Sequence, residues 1–183
     1  MNSRPIEEWQ NANQRYLADS LQIIKERLES YAAGGRSPAH QALADPPPEE
    51  CCNHERPEPE EWDRNEAWNL PGAPPPALES LCSAFSLSVF ERELLLLCAG
   101  VEMQPEIADL CSAAQGDPRK HHPTFALAMQ ALKQAHWSAI TPSSPLRRWH
   151  LIRIGSGDLL TKSPLQIDER VLHFLMGVAS LDE

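Results

Sequence analysis

The run Ser88-Val89-Phe90-Glu91-Arg92-Glu93-Leu94-Leu95-Leu96-Leu97-Cys98-Ala99-Gly100-Val101 decides how the rest of the chain is read. Ser88 stands three residues before Glu91, the spacing at which a hydroxyl and a carboxylate can each take up a free amide at a helix start. Beyond that start, Leu94 to Leu97 with Cys98 and Ala99 is apolar on every side of a helix. Such a helix is stable in water only when others surround it. Ala77 to Phe85, Pro105 to Gln115 and Thr124 to Gln134, each of helix-bundle length, supply the neighbours. Pro123 suits the opening of the last of these, where a missing N–H leaves no bond unmade, and Asp117-Pro118 marks the turn ahead of it. Further on the period changes. Trp149 to Ile154 and Leu159 to Lys162, joined by Gly155-Ser156-Gly157-Asp158, read as a β-hairpin. A helix returns after Asp168, whose carboxylate can cap it, and Val171, Leu172 and Leu175 give it an apolar face. The predicted fold is mainly α, a helical bundle with a C-terminal β-hairpin.

Helices followed by a hairpin form the outline of a winged helix, and residues 77–183 are read as a winged-helix-like helical domain. Ahead of it, residues 1–35 are read as an amphipathic N-terminal helix. Leu17, Leu21, Ile24, Leu28 and Tyr31 follow one another at steps of four and three, which stacks them into one stripe. Little more than two heptads is short for an independent coiled coil, so docking onto the chain's own domain is preferred to self-association. Gly34-Gly35 ends the helix, since glycine suits the left-handed conformation beyond a C-terminus. Residues 36–76 hold ten of the seventeen prolines, including Pro46-Pro47-Pro48 and Pro74-Pro75-Pro76. They are read as an extended acidic linker with Trp62 and Trp68 as its only aromatic anchors.

Charge is distributed unevenly. Between Asp45 and Glu66 lie nine acidic and two basic residues, so most of the formal −10 belongs to the linker. From Pro118 to Gly157 there is no Asp or Glu, while Arg119, Lys120, Lys133, Arg147, Arg148 and Arg153 are present. With Lys162 they are the candidate interaction surface. The five cysteines are odd in number and lack framework spacing. Cys82, Cys98 and Cys111 fall in apolar helical patterns, which fits a reducing compartment. No secretory leader is recognisable at Met1, and no apolar run approaches the ~20 residues that cross a bilayer. The expectation is a soluble, cytoplasmic protein without membrane partners.

Several strings go beyond pattern: Asn13-Gln14-Arg15-Tyr16-Leu17, Phe90 to Glu102, Pro123-Thr124-Phe125-Ala126-Leu127-Ala128, Pro145-Leu146-Arg147-Arg148-Trp149, Ser163-Pro164-Leu165 and Ile167-Asp168-Glu169-Arg170-Val171-Leu172. Together they resemble the N-terminal, winged-helix-like region of a bacterial AAA+ ATPase family that includes the ATPases of phage-tail-like contractile injection systems. The resemblance covers the first helix and almost all of Ala77 to Val178, and leaves out the proline-rich linker. It implies a non-catalytic interaction and regulatory domain whose partners are its own AAA+ module, neighbouring subunits or injection-system proteins. ATP and Mg are implied for the parent protein and no cofactor for this chain. No Gly-x-x-x-x-Gly-Lys-Ser/Thr string occurs here, so ATP binding and hydrolysis are assigned to a C-terminal module outside it.

Other candidate chemistry is weaker. Gly155-x-Gly157 lacks the following helix whose amides would meet a phosphate, so a hairpin turn is the better reading. Cys51, Cys52 and His54, with His121 and His122 to complete a set, offer soft metal ligands, but adjacent cysteines do not match zinc spacing. Cys82, Cys98 and Cys111 have apolar neighbours where a reactive thiol needs exposure and a lowered pKa. The serious rival is a DNA-binding winged helix using the basic stretch, with Trp137 and Trp149 interleaved. Against it, the helix that would enter the groove offers only Gln130, Lys133 and Gln134 to bases or phosphates. Protein contact is preferred, with DNA binding or a stand-alone adaptor as alternatives.

Overall fold

The computed structural model describes residues 4–34 and 73–178. Most of the proline-rich acidic segment, with Cys51, Cys52, His54, Trp62 and Trp68, lies outside these residues. The elements follow in the order α1 (Arg4–Ala32), α2 (Ala77–Phe85), α3 (Val89–Met103), α4 (Pro105–Gln115), α5 (Phe125–Ala131), α6 (Pro145–Arg148), β1 (Ile152–Ile154), β2 (Leu165–Ile167) and α7 (Glu169–Leu175). Short 3-10 turns occupy Trp137–Ile140 and Leu160–Lys162. A mainly helical fold with a small antiparallel hairpin is what the sequence leads one to expect.

α3 is the buried centre. Ser88 accepts from the amide of Glu91 while the Glu91 carboxylate takes the Ser88 amide at 3.0 Å, so both halves of the expected capping box are made. Phe90 and Leu94 to Leu97 are fully buried. α1 packs across α3, α4 and α5, and Leu17, Leu21, Ile24 and Leu28 join the same hydrophobic cluster as α3, with Tyr31 packed at its margin. The N-terminal helix is thus a wall of the core. Gly100 marks its closest approach: a Cβ there would sit 2.7 Å from Ile107 Cδ1 and 3.2 Å from Leu21 Cδ2. Glycine lets α1 and α4 close on α3 at that level.

Polar side chains inside the bundle tie these helices at fixed points. Asn13, 1 % exposed, accepts from the Ala77 amide at 2.8 Å and donates to the Leu175 carbonyl at 2.8 Å. One amide thereby satisfies the first turn of α2, which has no side-chain cap, and the last turn of α7. Tyr16 donates to Glu79 at 2.6 Å, and Arg92 reaches both, linking α1, α2 and α3. Glu93, fully buried on α3, pairs with Arg27 of α1 and accepts the Lys133 amide at 3.0 Å. A buried carboxylate requires such partners because its desolvation is otherwise unfavourable by several kcal/mol.

The main departures from the sequence reading lie in α5 and in the hairpin. α5 stops at Ala131, short of Gln134, and Gln134 itself has φ +50°. Thr124 caps its start, and Pro123 stands outside it with its carbonyl accepting from the Leu165 amide at 2.9 Å. In the hairpin, β1 begins at Ile152 rather than Trp149, because Trp149 closes the short α6, and Leu159 to Lys162 is no strand. The partner of β1 is Leu165–Ile167, in the register Ile152↔Ile167, Arg153↔Gln166, Ile154↔Leu165. The physical reason is alternation. Leu165 and Ile167 turn into the core while Gln166 faces out, whereas Leu159 and Leu160 lie adjacent and exposed in the connection, which closes on itself through Ser163 N–H to the Leu159 carbonyl.

Candidate interaction surface

Of the basic residues singled out from sequence, most are held by groups of the chain itself. Arg119 Nε lies 3.2 Å and Lys120 Nζ 3.9 Å from Asp117, on their own turn between α4 and α5. The hydrogen bond from Arg119 holds the Asp117 carboxyl below its usual range. Arg147 donates back to the Ile140 carbonyl, which fixes α6 against the preceding 3-10 turn. Lys133 is half-buried at the end of α5, its amide on Glu93. Lys162 is exposed in the connection between the strands.

The hairpin gathers the rest. Arg153 of β1 donates to Asp168 Oδ2 at 2.6 Å, and Arg170 of α7 reaches Asp168 Oδ1 at 3.1 Å. Asp168 is 2 % exposed, caps α7 through the Arg170 amide, and gives its own amide to the Leu151 carbonyl at 3.1 Å. Burial works to raise this carboxyl, but the hydrogen bonds from Arg153 and Arg170 outweigh it and hold it below the usual range. Three residues upstream of Leu151, the Arg148 guanidinium lies 5.3 Å from the centroid of the Trp149 ring, and Phe85 meets that ring from the end of α2 at 5.7 Å. Trp149 remains 53 % exposed. Arg170 was not among the sequence candidates. Its signal was present in the Asp168-Glu169-Arg170 string, but only the fold turns that string toward Arg153.

Several large apolar side chains also stand exposed: Leu159 and Leu160 in the connection, Phe174 and Val178 in and after α7, Trp137 on the 3-10 turn and Ile6 near the start of α1. By contrast α5 is buried on Phe125, Leu127, Ala128 and Ala131, and its one polar side chain, Gln130, is engaged by the Tyr31 hydroxyl.

The remaining candidates resolve into packing and turns. A Cβ on Gly157 would meet Ser163 Oγ at 2.6 Å, and one on Gly155 would meet Pro164 Cγ at 2.8 Å. These glycines let the two sides of the connection cross closely. Burial pushes the Cys82 and Cys111 thiols up to about 12 and raises Cys98 as well, so all three stay protonated near neutral pH and are poor nucleophiles. His121 lies 3.6 Å from Asp109. Burial, then Lys120 and His121, lower the His122 ring. Among the described residues no three His, Cys, Asp or Glu side chains are grouped to hold a metal ion, and none of their helices is long and apolar enough to cross a membrane.

Comparison with protein families matches residues 10–183 to the family described as "Winged helix domain, variant". No curated protein and no solved structure matches the chain. The match takes in most of α1 and all of α2 through α7, the same elements that share one core, and the chain therefore belongs to the winged helix domain, variant, family.

Proposed function

We propose that this winged-helix chain is a non-catalytic protein-binding and regulatory module of an AAA+ ATPase, contacting its own ATPase module, a neighbouring subunit or an injection-system protein. The carrying observation is what the surface offers. α5, the helix expected to meet a nucleic-acid groove, turns Phe125, Leu127, Ala128 and Ala131 into the core and has its one polar side chain, Gln130, engaged by Tyr31, while Leu159, Leu160 and Phe174 stand exposed. Exposed apolar groups of this size gain most by burial against a protein partner. ATP and Mg belong, in this reading, to the ATPase module.

The test uses the full-length protein of the same reading frame with Leu160→Ser and Phe174→Ser. Changes at exposed positions alter stability by roughly 0.5 kcal/mol or less, so the melting temperature should hold while subunit assembly or the rate of ATP hydrolysis changes. Assembly and rate both equal to wild type would remove the proposal. Phosphate release by the chain alone above background would likewise remove its non-catalytic part. A second reading, duplex DNA binding, is favoured by the exposed Arg148 and Lys162 in an acid-poor stretch. Titration with duplex at low salt decides it, because phosphate-driven binding must appear there and fade steeply as salt rises.

A further inference from the structure

We propose that the face formed by Phe85, Arg148, Trp149, Arg153 and Arg170 is a docking site for the chain's own acidic, proline-bearing segment, Glu55 to Glu66. The inference does not depend on the AAA+ reading. Its first ground is charge. Arg147, Arg148, Arg153 and Arg170 lie around the start of the hairpin, against Asp168, itself buried, and Glu169. Among these six side chains the four guanidinium groups exceed the two carboxylates even with Arg153 and Arg170 sharing Asp168, while Glu55-Arg56-Pro57-Glu58-Pro59-Glu60-Glu61-Trp62-Asp63-Arg64-Asn65-Glu66 carries the opposite excess. Opposed charges at this density attract over about a Debye length, roughly 8 Å at physiological salt.

The second ground is shape chemistry. Trp149 is half-exposed, flanked by Phe85 at 5.7 Å and by the Arg148 guanidinium at 5.3 Å. A paired aromatic surface of this kind accepts proline rings at little entropic cost, because proline segments are already extended. Pro57 and Pro59 fall between the acids, so the rings and the carboxylates would be presented together.

The third ground is reach. The segment rejoins the fold at Ala73, where Trp9 Nε1 holds the Pro74 carbonyl at 3.0 Å. Phe85 is at the far end of α2, one helix away, about 14 Å at 1.5 Å per residue. The twelve residue-to-residue steps from Glu61 to Ala73 extend to about 40 Å. The contact is thus intramolecular within easy span, where effective concentrations of order mM make even a weak site occupied.

The test compares the full chain with a variant carrying Glu55→Gln, Glu58→Gln, Glu60→Gln, Glu61→Gln and Asp63→Asn, using the indole N–H resonance of Trp149 assigned through Trp149→Phe. Docking requires that this resonance and the Arg170 amide differ between the two proteins. It also requires that added salt move the wild-type resonances toward the variant's positions. Arg148→Gln, on the other side of the contact, should produce the same displacement of Trp62. Identical Trp149 and Arg170 resonances in both proteins would overturn the proposal. A difference that grows with protein concentration, together with a doubled mass, would also overturn it by making the contact one between chains. If duplex DNA shifts Trp149 while neutralising the segment does not, the face belongs to nucleic acid and the proposal fails.

Discussion

Asn13→Ala tests the joint between the first helix and the rest of the fold. The side chain is 1 % exposed and makes two bonds, from the Ala77 amide and to the Leu175 carbonyl, each at 2.8 Å. Removing it leaves one buried donor and one buried acceptor without a partner. Each orphaned group costs about 1–3 kcal/mol. Alanine returns up to about 0.7 kcal/mol of helix propensity, which is smaller. The net expectation is a loss of roughly 2–4 kcal/mol, a large share of the 5–15 kcal/mol typical of a domain. At the few degrees per kcal/mol usual for a chain of this size, the melting temperature should fall by about 10 °C. Urea unfolding followed by circular dichroism, with Gln14→Ala as the exposed neighbour control, measures it. Asn13→Asp separates the two bonds, since it keeps the acceptor for Ala77 and places a carboxylate against the Leu175 carbonyl, and it should be at least as damaging. A loss below about 0.5 kcal/mol for Asn13→Ala, the level of an ordinary surface change, would refute the view that this amide holds α2 and α7 to α1.

Deleting residues 1–35 should prevent folding of the remainder rather than merely soften it, because Leu17, Leu21, Ile24 and Leu28 are buried at 2 % exposure or less and each contributes roughly 1.5–3 kcal/mol; a cooperative unfolding transition in the truncated chain would contradict this. Leu21→Ala, beside Gly100, should cost about 2–5 kcal/mol in chemical unfolding, and a loss under 1 kcal/mol would mean that α1 is only loosely seated. Asp168→Asn should be destabilising near neutral pH, with the difference from wild type shrinking as pH falls: the folded carboxyl is held below its ordinary 3.8, so its contribution is present above that value and lost as it protonates beneath it. A difference independent of pH in unfolding measured from pH 7 down to about 3 would show that charge plays no part. Ser86→Gly should stabilise by roughly 0.5 kcal/mol, since Ser86 closes α2 at φ +52°, a conformation that costs a side chain more than it costs glycine; a lower melting temperature would refute it.

Local rules made most of the helices legible. The capping spacing of Ser88 and Glu91, the unbroken apolar run of α3 and the four-three stripe of α1 each depend on residues close in sequence, and the structure forms all three. The burial of Cys98 and Cys111 followed in the same way from their apolar neighbours. Strand pairing was less accessible, because a three-residue strand carries too little alternation to distinguish Leu159 to Lys162 from Leu165 to Ile167. That choice was made by which residues could reach α3 and pair with Ile152 and Ile154.

The candidate surface was legible as composition but not as geometry. The sequence named Arg119, Lys120, Lys133, Arg147, Arg148, Arg153 and Lys162 from the absence of acids around them, and so treated them as one class. The fold separated them, because a cation's availability depends on carboxylates and carbonyls brought near from elsewhere in the chain. It turned Arg119 to Asp117, Arg147 to the Ile140 carbonyl and Arg153 to Asp168, and left Arg148 against an exposed tryptophan. Helix periodicity is written along the chain within a few residues, whereas the pairing of Arg153 with Arg170 across Asp168, or of Ala77 with Leu175 through Asn13, exists only after distant segments have packed.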